Sequence, residues 1–113
     1  MDDRELLELA AKAAGFKLNV SQSWGAGLLL DCQTFWSPLT DDGDALRLAV
    51  TLSLRVECYT GIKIHPMYSA SHVTDVYSTS HPEIRLSESH NGNPCAATRR
   101  AIVRAAAEIG RAM

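Results

Sequence analysis

The sequence predicts an α+β domain: about three helices packed on a small, mostly antiparallel sheet, with amphipathic helices at both termini and residues 1–113 forming one unit. Three observations predict it. Apolar residues recur at helical spacing near each end of the chain, and between them the period falls to two in several short runs. The connections between those runs suit neighbouring antiparallel strands, whereas parallel crossovers would need more helix between strands.

The first helix is expected over Asp2 to Ala14. Leu6, Leu7, Leu9, Ala10, Ala13 and Ala14 fall on one side, with Arg4, Glu5, Glu8 and Lys12 opposite. Asp2 and Asp3 suit the positive end of the helix dipole, and Gly15 is a natural stop. Phe16, Leu18 and Val20 then alternate with Lys17 and Asn19 as a strand, Ser21 to Gly27 reads as a turn, and Leu28 to Leu30 as a short buried strand. Trp36-Ser37-Pro38 should interrupt regular structure, because proline restricts its predecessor and has no N–H to donate.

Thr40-Asp41-Asp42-Gly43-Asp44 is dense in helix-capping residues, and a second helix is expected from Ala45 to about Ser53. Its apolar residues lie nearly all round, so it must be buried on several sides or meet a partner. A strand follows from Leu54, where Leu54, Val56 and Cys58 alternate with Arg55, Glu57 and Tyr59. Gly61 suggests a turn, and Ile62–Ile64, Val73–Tyr77 and Ile84–Leu86 suggest further short strands in a polar, loop-rich stretch. Asn91-Gly92-Asn93-Pro94 is a clear break. The last helix is expected from Pro94 to about Arg111, with Cys95, Thr98, Ile102, Ala105, Ala106, Ile109 and Met113 as its apolar stripe and Arg100, Arg104 and Arg111 opposite.

Composition limits the functional classes. A chain of 113 residues buries enough surface to need no metal or disulfide staple. Its net charge of −2 argues against a surface wholly committed to nucleic acid. The charge is unevenly placed: residues 1–58 carry nine acids and five bases, residues 59–113 four acids and six bases. Three widely spaced cysteines (Cys32, Cys58, Cys95) suggest reduced thiols packed beside apolar faces. The acidic opening Met1-Asp2-Asp3-Arg4-Glu5 is unlike a signal peptide, and no apolar run approaches a membrane span, so a cytoplasmic setting without membrane contact is expected.

Three segments carry a resemblance: Glu5 to Gly15 (ELLELAAKAAG), Trp36 to Val50 (WSPLTDDGDALRLAV) and Ala96 to Gly110 (AATRRAIVRAAAEIG). Together, and in this order, they resemble the NinX-type family of short temperate-phage and prophage proteins, a group of unknown function whose members often have asparagine at the position of Ser37. The resemblance implies an accessory protein acting in the cytoplasm of a bacterial host, and it transfers no catalytic residue.

Candidate sites are few. His65, His72, His81, His90 and Cys95 match no metal-ligand spacing, and neither a metal nor another cofactor is expected. There is no Gly-x-Ser-x-Gly elbow, the Asp41–Asp44 cluster lacks the distal glutamate of an EF-hand loop, and Gly25-Ala26-Gly27 lacks the third glycine of a dinucleotide loop. A small hydrolase using His65, His72 or His81 with Asp75 rests on inventory alone. Arg99, Arg100, Arg104 and Arg111 offer a cationic helix face for nucleic acid or a nucleotide, although no aromatic residue lies there to stack bases. Trp24 is a candidate interface anchor, and Trp36 is expected to be buried. The leading expectation is therefore a non-enzymatic binder of a host protein, with self-association as a homodimer or larger through the apolar second helix.

Overall fold

The computed structural model describes residues 2–24, 27–30, 35–62 and 71–113. Its elements run αβββαβββα, with every strand pair antiparallel.

The three helices begin and end where their capping chemistry directs. α1 (Asp3–Ala14) opens with the Asp2 carboxylate accepting from the Glu5 N–H at 2.8 Å and stops at Gly15, whose φ of 79° is left-handed. α2 (Asp42–Thr51) starts three residues earlier than expected, because Asp41 rather than Asp44 is its cap: the Asp41 carboxylate accepts from the Asp44 N–H at 2.8 Å. α3 (Pro94–Arg111) begins at the expected proline, with Asn93 accepting from the Ala96 N–H at 3.1 Å.

The strands form two three-stranded sheets. The first joins β1 (Leu18–Trp24), β2 (Gly27–Leu30) and the two-residue β3 (Phe35–Trp36). The turn expected over Ser21–Gly27 is mostly strand: β1 continues to Trp24, which pairs with Gly27, so hairpin pairing overrides a polar sequence. Phe16 lies outside the strand expected for it. Its N–H donates to the Ala11 carbonyl at 2.9 Å, and its ring meets Trp36 edge-on at 5.5 Å. Trp36 is buried, as expected.

The second sheet joins β4 (Leu54–Ile62), β5 (Ser71–Ser78) and β6 (Arg85–Ser89) in that order. The stretch expected to be loop-rich is thus largely sheet where it is described. Thr74 and Ser78 occupy buried positions beside Val76, so the buried face looks polar in sequence. Gly61 is not a turn but part of β4, where the register slips between Thr60 and Ile62; glycine is a common residue at such a bulge. Ile64, His65 and Cys32, each assigned a role by sequence, lie outside the described residues.

α3, not α2, is the helix buried nearly all round. Ala97, Ala101, Ile102, Val103, Ala105, Ala106, Ala107, Ile109 and Gly110 are all buried, while Cys95 and Met113 of its expected stripe are exposed. α1 covers one side of it, α2 another, and the second sheet a third. Alanine-rich faces read weakly as apolar, which conceals such a helix in the sequence. α1 and α3 run parallel, since Asp3 meets Arg100, Leu9 meets Gly110 and Lys12 reaches the Met113 carbonyl. α2 buries Ala45, Leu48 and Ala49 but leaves Leu46 64% and Val50 70% exposed.

Candidate functional site

The arginine face is built as a set of ion pairs. Arg100 donates to the Asp3 carboxylate at 3.1 Å, Arg104 is paired with Glu88, and Arg111 lies 3.3 Å from Glu108. These three arginines line one cleft with Leu6, Glu88 and Glu108, and with Asp3 beside Arg100 three carboxylates balance three guanidiniums. Arg99 is turned away from them. It donates to the Leu39 carbonyl at 2.9 Å and to Asp42 at 2.6 Å, tying α3 to the start of α2. Trp24 ends β1, away from the arginines in the chain's element order, and its side chain lies outside the described structure.

The described histidines do not converge. His72 and Asp75 share β5 three residues apart and so project to opposite faces. His81 follows β5, half-buried, while His90 is 4% exposed rather than solvated. Its Nε2 lies 2.9 Å from Thr74 Oγ1, which is also 2.8 Å from Thr98 Oγ1, and its Nδ1 has no protein partner. Both hydroxyls approach Cys58 Sγ, at 3.7 Å and 3.6 Å. This knot of small polar groups pins β4, β5, β6 and α3 together, with no carboxylate in it to orient the imidazole as a base. Among the described residues no group of three or more histidine, cysteine or acidic side chains is placed to hold a metal, and no helix is long and apolar enough to cross a membrane.

No family model, curated protein or solved structure matches the chain.

The feature that sequence reading missed is a groove. α2, β4 and the first half of α3 diverge around a cavity of about 350 Å³, lined chiefly by Ala45, Leu46, Ala49, Val56, Cys58 and Ile102. Cys95 and Pro94 form its rim at the start of α3. Both described cysteines are therefore exposed groove residues, not the packed thiols expected from their apolar surroundings. The signal available in sequence was the apolar excess of α2 together with the alternation of β4, but only the tertiary fold shows that the two enclose a gap.

Across the sheet from the groove lies the face that none of the described helices covers. Arg55, Glu57 and Tyr59 of β4 share it with Asp75 and Tyr77 of β5 and Arg85 of β6. Arg55 Nε is 2.8 Å from Glu57, and the Arg85 guanidinium stacks 4.9 Å from the centre of the Tyr77 ring. The Tyr59 hydroxyl donates to Glu57; that hydrogen bond first, then partial desolvation and the carboxylate's charge, raises the phenol pKa above its usual 10.0.

Proposed function

We propose that the chain is a non-enzymatic protein-binding module, a phage accessory protein of the kind its NinX-type resemblance implies, and that the groove between α2, β4 and α3 receives a host protein in the bacterial cytoplasm. One observation carries the reading. Leu46 and Val50 are more than 60% exposed beside an apolar groove, and such surface is normally retained where something docks. The alternative of a nucleic-acid or nucleotide module has less support, because Arg99, Arg100, Arg104 and Arg111 each have a carboxylate within 3.3 Å or in direct contact. A phosphate would have to compete with partners already in place.

The test is capture from host lysate with tagged protein, in parallel with Leu46→Asp and Cys95→Glu. Both positions are exposed, so the variants should keep the far-ultraviolet circular dichroism of the parent. The expected result is one host protein recovered saturably by the parent and lost, at least tenfold, from both variants. Equal recovery by parent and variants would remove the groove from the interface.

A further inference from the structure

We propose that two copies of the chain pair through the open edge of β4, two-fold about Val56, to make one continuous six-stranded sheet. Among the described residues β4 hydrogen-bonds only to β5, so its other edge carries unpaired backbone groups. The pattern can be read off β5. The Ser78 N–H donates towards β6, to Ile84, and the His72 carbonyl accepts from His90 on the same side. Even-numbered residues of β5 therefore face β6, and the odd-numbered ones bond to Arg55, Glu57 and Tyr59 of β4. Leu54, Val56 and Cys58 are left pointing their N–H and C=O groups off the open edge.

This alternation restricts how the edge can meet itself. An antiparallel partner must set even residues against even, which leaves four nearby registers. Centring on Arg55 opposes arginine to arginine, and centring on Glu57 opposes glutamate to glutamate; like charges directly across a pair are destabilising. Centring on Cys58 leaves Arg55 opposite Gly61. Centring on Val56 sets Val56 against its own copy and Leu54 against Cys58, in pairs that exchange backbone hydrogen bonds. It also places Arg55 opposite Glu57 twice, in the closer non-hydrogen-bonded positions. The Arg55–Glu57 pair within each chain then extends into a four-charge ladder on the uncovered face. A two-fold axis normal to the sheet keeps both α2 helices on one side of the joined sheet.

The inference goes beyond the docking reading, since it rests on the backbone of β4's open edge and on the side chains of Arg55 and Glu57, which do not line the groove. Light scattering across micromolar concentrations tests it. The parent should show twice its 12.3 kDa chain mass. Arg55→Glu and Glu57→Arg should each be monomeric, an equimolar mixture of the two should recover the dimer, and the double variant R55E/E57R should dimerise alone. A host segment added to the same edge would not follow that swap. Amide exchange on the parent checks the register without substitution: the Val56 and Cys58 N–H groups should be protected at high concentration and lose at least tenfold of that protection on dilution. A parent that stays monomeric, single variants that stay dimeric, or fast exchange at Val56 would each overturn the pairing, leaving the host-capture result to stand or fall separately.

Discussion

Gly110 is the residue on which two helices close. A Cβ there would come within 2.8 Å of the Leu9 carbonyl carbon, and closer still to its oxygen. Inside a helix, exchanging glycine for alanine ordinarily stabilises by up to about 1 kcal/mol through backbone entropy, and in a last turn such as that of Gly110 the gain is no larger. Here the obstacle is backbone and cannot swing aside, and overpacking of this kind costs about 1–3 kcal/mol. The overlap places the cost at the upper end, so Gly110→Ala should be net destabilising by about 2 kcal/mol, read as a lower urea midpoint at unchanged slope; a stabilised variant would show that α1 and α3 are not this close. Single residues also mark where sequence reading fell short at the site. Arg99, Arg100, Arg104 and Arg111 were visible as a cationic set, but the carboxylate partners of the first three, Asp42, Asp3 and Glu88, come from distant segments that no local pattern links; only Glu108, beside Arg111, is local.

Among the elements, the helices owe their boundaries to three side chains one residue before each start. Asp2, Asp41 and Asn93 each accept from a first-turn N–H. Removing such a cap typically costs about 1 kcal/mol. Asp41→Ala and Asn93→Ala should each lower stability by that amount, additively in the double variant because the caps serve different helices. A single-variant loss well below 0.5 kcal/mol would mean that the capping bond is not formed. Capping chemistry is local, which is why α1 and α3 were legible almost to the residue and α2 to within three. The second sheet was legible only in pieces. Its buried positions include Thr74 and Ser78, polar residues in a face that sequence alone marks as exposed, and Thr74 finds its partners only in the distant His90 and Thr98; its Gly61 reads as a turn until strand pairing absorbs it as a bulge. The groove lay beyond sequence altogether, since it is a space between elements and not a property of any one of them.

Over the whole molecule, the described structure measures 52 × 28 × 23 Å, with a radius of gyration of 14.6 Å. About 13 Å is usual for this length, so the molecule is extended along one axis. That form suits a second sheet with one face uncovered by the described helices and no described strand beyond β4 or β6. The parallel packing of α1 on α3 has a consequence in time rather than in space. These helices are each other's principal partners, yet residues 15–93 lie between them. Bringing such distant segments together costs on the order of 4 kcal/mol of chain entropy before any contact compensates it. The helices themselves form in microseconds at most, but their docking must await the search that joins residue 9 to residue 110. Refolding followed by stopped-flow dilution from urea is therefore expected to take milliseconds or longer, as for domains dominated by non-local contacts. Relaxation complete within tens of microseconds would mean that the α1–α3 pair is not what the chain waits for.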